Sequence, residues 1–356
     1  MATPGRGTLG PARRLLLSRA KLTALVRAHW GVDAFDGDPR PAVSGLVARR
    51  GEQGWMLVEE EAGRALGRGL LWALRSGVRE LHYLFPADEE AASAAARRGR
   101  LFRTRVAVWR TEGAELSAVP AEALPPEPAL DARAQPYLER LVAAGAEPAV
   151  EWGTLYGDVW GLEVARVERE DGYLWLGVGV TKEDRLTRRL MEGDDPGADA
   201  VRSVVQQVRE TRAHDYLVHP LNQLARERWL RAWLLQRPAE VGAAHLEPVS
   251  PPAPRADDVR VRVPAAAAGA GPDGAPMLLV CSVGFDSEAV PIALELADAI
   301  RTRTGQAIRP VVAVPARDDH PMLRLAAHDA ALPVGLATVP DDWPERFRAE
   351  AAGSGR

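Results

Sequence analysis

The sequence predicts a multi-unit α/β protein. Toward both ends of the chain, short apolar runs alternate with helix-forming stretches. Pro-rich segments around 120–136 and 248–276 set these ends apart from a middle region of different pattern. With 356 residues, 46% apolar and 26% charged, the chain is long enough for two or three modest cores.

The elements follow in order. Residues 1–40 form a basic N-terminal segment with six Arg or Lys and no acid up to Val32, and Pro11 to Trp30 reads as a helix. Leu15, Leu22, Leu25 and Val26 make its docking stripe, which leaves the arginines on the solvated side. Residues 41–120 give an α/β unit. Val43–Arg49 and Trp55–Glu59 read as a hairpin across Gly51–Gly54, followed by a helix over Glu61–Arg75 that Gly77 stops. The strand-like run Glu80–Phe85, the Ala-rich helix Ala87–Arg103 and the strand Arg105–Trp109 then suggest a parallel βαβ crossover. Prolines 120, 125, 126, 128 and 136 mark a stiff connection over 121–136.

The middle unit, 137–247, is expected to hold a helix (Tyr137–Ala144) and three strands (Ala149–Tyr156, Val159–Glu168, Tyr173–Val180). A polar helical region from Lys182 to Arg212 and a helix over Leu221–Gln236 complete it. Trp229 and Trp233, one helical turn apart, are expected to pack a core. The stretch 248–276 contains seven prolines around an Ala/Gly-rich centre and reads as a flexible linker. In 277–345, Met277–Val283, Ala289–Arg301, Pro310–Pro315, Pro321–Ala331 and Val334–Val339 form a βαβαβ pattern, and 346–356 is a tail. The N- and C-terminal units are thus expected to be Rossmann-like, with no visible internal repeat.

Composition excludes several classes. A net charge of -4 gives no global reason for a polybasic nucleic-acid or membrane binder. Lys21 and Lys182 are the only lysines, and neither follows a GxxxxG loop, so a Walker site is out. The single cysteine, Cys281, allows no internal disulfide and no thiolate-rich zinc site, and its apolar setting predicts a buried strand residue. No apolar run reaches the length of a spanning helix, so a cytoplasmic protein without a membrane partner is expected. There is no GxSxG elbow, HExxH, GxGxxG after a strand, or kinase set.

Four polar constellations remain. In the middle unit, Glu151 and Glu163 lie on neighbouring strand candidates and can converge across a hairpin. Asp158, an odd offset from Glu163 on what reads as the same strand, is expected on the opposite face. The helix–three-strand–helix order over 137–213 resembles the restriction-endonuclease-like core of the PD-(D/E)xK nucleases. That resemblance implies Mg or Mn held by Glu151 and Glu163, nucleic acid as partner, and phosphodiester cleavage. Ala165 stands where the family has lysine, which leaves Arg166 or Lys182 to replace it. On a purely structural reading the two glutamates are outward polar members of alternating strands.

The second constellation is Ser282-Val283-Gly284-Phe285-Asp286-Ser287, after an apolar strand and before a helix. It resembles the SGGxDS loop of the N-type ATP pyrophosphatases, with Val283 in place of the first glycine. The resemblance implies ATP held at Ser282, Gly284, Asp286 and Ser287. Capping of the following helix by Asp286 or Ser287 explains the same letters. Third, His214, His219 and Asn222 precede Arg226 and could bind metal or phosphate, or form a turn into a helix. Fourth, Arg317, Asp318 and His320 sit between a strand end and a helix start, where open α/β sheets bind ligands and where Asp318 or Asp319 could equally be an N-cap.

Phrases such as His219-Pro220-Leu221-Asn222-Gln223-Leu224-Ala225-Arg226-Glu227-Arg228-Trp229 resemble uncharacterised proteins of high-GC, actinobacteria-like organisms, a resemblance that implies no activity. The sequence therefore leaves three readings: a nucleic-acid-associated protein with a degenerate nuclease-like site, a non-catalytic scaffold or small-ligand binder, and an ATP-binding protein.

Overall fold

The computed structural model describes residues 10–86, 88–167, 169, 172–178, 196–213 and 219–353. They form a mixed α/β protein in two compact units, Met1–Ala123 with Met322–Pro333, and Leu124–Pro321 with Val334–Arg356. No helix of the described residues is long and apolar enough to cross a membrane.

In the first unit, helix α1 (Pro11–Trp30) ends at Gly31, whose φ of 65° supplies the left-handed cap. Strands β1 (Arg40–Ala42), β2 (Gly45–Arg50) and β3 (Gln53–Val58) form an antiparallel meander. Helix α2 (Ala65–Ser76) leads to β4 (Glu80–Pro86) and α3 (Glu89–Gly99) to β5 (Arg105–Glu112), both strands joining the sheet in parallel. Strand β6 (Glu115–Ala118) closes the edge. The expected hairpin and βαβ crossover are thus both present. Leu22, Leu25 and Val26 of α1 pack on one face of the sheet with Trp55 and Leu57, and α2 and α3 cover the other over Met56, Tyr83 and Phe85. The docking stripe read from sequence is the buried side of α1.

The second unit contains two sheets that share one hydrophobic core. Helix α4 (Gln135–Ala143) precedes an antiparallel meander of β7 (Glu147–Glu151), β8 (Thr154–Val159), β9 (Leu162–Val167) and β10 (Leu174–Leu176). This makes four strands where the sequence suggested three. The hairpins turn at Trp152-Gly153 and Trp160-Gly161, with φ of 53°, 71°, 47° and 75°, the positive values that two-residue turns between twisted strands require. Trp in the first turn position is not a turn signal, so the sequence reading ran strands through both corners. Helices α5 (Ala198–Ala213) and α6 (Arg226–Gln236) follow. The helix expected from Leu221 begins later: Pro220–Gln223 is a single 3-10 turn, and Ala225 at φ 47° breaks the chain direction before α6.

The remaining strands are β11 (His245–Val249), β12 (Ala265–Ala270), β13 (Pro276–Cys281), β14 (Arg309–Pro315) and β15 (Gly335–Val339). Helix α7 (Ala289–Thr304) lies between β13 and β14, α8 (Pro321–Asp329) between β14 and β15, and α9 (Trp343–Gly353) after them. The sheet order is β11-β12-β13-β14-β15, antiparallel as far as β13 and parallel from there. The segment expected to be a linker therefore contributes an inner strand. Ala265, Ala266 and Ala267 are buried between β11 and β13. This sheet repeats the order of β1–β5 in the first unit, three antiparallel strands and then two parallel strands, each reached through a helix, but has no counterpart of β6. The equivalence lies in topology alone, since Gly-Leu-Val-Ala-Arg-Arg of β2 and Ala-Ala-Ala-Ala-Gly-Ala of β12 share no pattern.

Candidate functional site

The carboxylates of the middle sheet converge, by a different route from the expected one. Asp158 on β8 and Glu163 on β9 are register partners across the Trp160-Gly161 turn, so they share a face instead of opposing each other. Glu151 is not on a neighbouring strand of Glu163: β8 runs between β7 and β9. The β8–β9 register slips by one residue between Gly157 and Asp158, leaving Val164 unmatched. This bulge turns Arg166, not Ala165, onto the face of Glu163. Arg166 accordingly donates to both Glu163 oxygens at 2.9 and 3.2 Å.

Between the carboxylates lies Arg255, from the segment that read as a linker. Its guanidinium donates to Glu151 at 2.8 and 2.8 Å and to Asp158 at 2.7 and 2.8 Å, and it stands 3.7 Å from Glu163. It also covers the Tyr156 ring at 4.0 Å. Glu151, Asp158 and Glu163 are each 3% exposed. Burial alone would raise the Glu151 carboxyl, but Arg255, with Arg228 and Arg231 behind it, outweighs this and holds it at about 2. Arg255 is pushed well above its ordinary value, because Asp158 and Glu151 outweigh its own burial. A metal bridging Glu151 and Glu163 would have to displace this fork. Among the described residues no group of three or more His, Cys, Asp or Glu side chains is arranged to hold a metal ion. Lys182 lies outside the described residues.

A second site sits at the carboxyl ends of the parallel strands. The loop after β13 and the loop after β14 are tied by a hydrogen bond from the Gly284 amide to Asp318 Oδ2, 2.7 Å. Asp318 is therefore a loop tie and not a cap for α8. Asp286 accepts from the Glu288 amide at 2.9 Å, but it is Glu288 that stands at the N-cap of α7, without a side-chain cap hydrogen bond, so neither Asp286 nor Ser287 is the expected cap. Ser282 and Ser287 are buried, and the Ser282 hydroxyl donates to the Gly284 carbonyl at 3.4 Å. Beside these loops opens a cavity of about 340 Å³ whose lining includes Arg226, Arg260, Arg262, Arg317, Glu227 and Gly284.

Positive charge dominates this cavity. Arg260 is engaged with Asp258, but neither Arg226 nor Arg317 forms an ion pair with a carboxylate among the described residues. Arg226 is pushed below its ordinary value by burial and by the neighbouring charges of Arg317 and Arg262, only partly offset by Glu227 and Asp318. Burial pushes the Glu227 carboxyl up, and Asp286 adds to it. Gly284 has φ 79°, and a Cβ there would stand 3.1 Å from Arg262 Nη1, so a side chain would crowd the guanidinium.

The remaining candidates fall outside both sites. His219 Nδ1 accepts from the Leu221 amide at 3.3 Å, and buried Asn222 donates to the Thr211 carbonyl at 3.3 Å, so the two fix the turn into α6. His214 lies outside the described residues. Trp229 and Trp233 are buried against Trp343, as core residues.

Sequence reading found Arg226, Gly284, Arg317 and Asp318 of the pocket but missed Glu227, Arg260 and Arg262. The alternation Val259-Arg260-Val261-Arg262-Val263 was the available signal, hidden inside a stretch dismissed for its prolines. Arg255 carried no signal at all: one arginine among prolines says nothing about three partners at positions 151, 158 and 163. Comparison with known protein families and with curated proteins gives no match, so the chemistry of these two sites carries the functional argument.

Proposed function

We propose that this protein binds a small, multiply charged anion of the phosphate class in the arginine-lined cavity beside β13 and β14. The observation that supports this reading is the gathering of Arg226, Arg262 and Arg317 around one cavity with a surplus of positive charge. Guanidinium groups held together repel one another, and an oxyanion relieves that repulsion while accepting forked hydrogen bonds. The place agrees with the chemistry, since open α/β sheets take ligands at the carboxyl ends of parallel strands. It differs from an amide cradle: Asp318 already occupies the Gly284 amide, so the charge is supplied by side chains.

The metal-dependent nuclease reading is supported less well. It needs a hydrated cation to take the place of Arg255, against its four short hydrogen bonds to Glu151 and Asp158, and to compete with Arg166 for Glu163. Calorimetric titration with inorganic pyrophosphate tests the proposal. Saturable binding that weakens with salt and is lost in Arg317→Ala is expected, and unchanged affinity in that variant would refute it.

A further inference from the structure

The two loops that line the cavity also bring together an aromatic pair. Phe285 directly follows Gly284 and is 44% exposed, an unusual position for a phenyl ring beside a well-packed core. Its centroid lies 4.8 Å from the ring of His320, two residues beyond Asp318, at an interplanar angle of 48°. The Gly284–Asp318 hydrogen bond ties together the two loops that carry this pair, and Gly284 and Asp318 themselves line the cavity. A partly solvated pair of tilted rings on the loops that border a cluster of guanidiniums matches a ligand with two different ends, one anionic and one aromatic.

Resting on the anion-binding reading above, we propose that the occupant is a phosphate ester carrying an aromatic ring, a mononucleotide in chemical class. Its phosphates face Arg226, Arg262 and Arg317, and its base packs on Phe285 and His320. The cavity volume of about 340 Å³ lies within the range of small-ligand sites. The chain's net charge of -4 gives a polynucleotide no global attraction. Glu227 lines the same cavity and adds one polar side chain among the guanidiniums.

The test compares ADP with inorganic pyrophosphate by calorimetry on the full chain, with a single-stranded oligonucleotide as a third probe. ADP is expected to bind about tenfold or more tightly than pyrophosphate, the size of one stacking contact. Phe285→Ala should bring ADP down to the pyrophosphate level while leaving pyrophosphate unchanged, and Phe285→Trp should retain the preference. Equal affinities for ADP and pyrophosphate in the unmodified protein would overturn the ring subsite and leave the anion site standing. Failure of pyrophosphate to bind would remove the anion reading and this inference together. An oligonucleotide that binds more tightly than ADP would overturn the mononucleotide class.

Discussion

Replacing Arg255 by methionine removes the one cation among the described residues that touches Glu151, Asp158 and Glu163 together. Four hydrogen bonds of 2.7–2.8 Å disappear, and three carboxylates that are each 3% exposed lose their common partner. Breaking a buried pair by deleting one partner costs about 3–5 kcal/mol, because the remaining charge cannot be resolvated. A second route gives a similar size. The Glu151 carboxyl lies at about 2 instead of 4.5, which corresponds to about 3 kcal/mol of stabilisation at neutral pH. Urea unfolding of Arg255→Met should therefore show a loss of about 3–5 kcal/mol. Most of the loss should be recovered in the combined variant Arg255→Met, Glu151→Gln, Asp158→Asn, because the repulsion is then removed with the cation. A loss below about 1 kcal/mol would refute the view that this ion cluster organises the second unit.

Further outcomes follow from the same structure. Because the Glu151 carboxyl is held below its ordinary 4.5, its contribution is complete above that value and is lost as pH falls toward about 2. Acid titration of stability should show a shallower fall in Glu151→Gln than in the unmodified protein. Burial lowers His82 from its ordinary 6.5, so the folded first unit resists its protonation, and stability should decline as pH drops below that value. His82→Gln should flatten this part of the curve. Gly161→Ala should destabilise by about 2–4 kcal/mol in urea, because φ is 75° and the added methyl meets the Arg228 backbone. Burial pushes the Cys281 thiol up to about 12, so a thiol reagent should label it only at the rate of unfolding.

Local signals in the sequence were strong where a single element decides its own structure. Gly77 stopped α2, the stripe Leu22, Leu25, Val26 identified the buried side of α1, and the run Met277–Cys281 marked a buried strand. They failed where the partner is distant. The turns at Trp152-Gly153 and Trp160-Gly161 put a residue disfavoured at positive φ before the glycine, so the local signal is half of the usual one. The bulge at Val164 exchanges the faces of Ala165 and Arg166, and it is a property of the β8–β9 pairing rather than of either strand. Pro-rich composition hid β12 and Arg255, whose order comes from the sheet and the carboxylates they meet. The arginine pocket was half legible for the same reason. Arg226 and Arg317 border recognisable elements, whereas Arg260 and Arg262 are brought there by that supposed linker.

The most direct measurement is a crystal soaked with tungstate, a tetrahedral oxyanion that can be located by its anomalous signal. A peak within hydrogen-bonding distance of Arg226, Arg262 and Arg317, absent from crystals of Arg226→Ala, Arg317→Ala, is the predicted result. A soaked crystal with that cavity vacant and the oxyanion bound elsewhere would contradict the assignment of this pocket as an anion site.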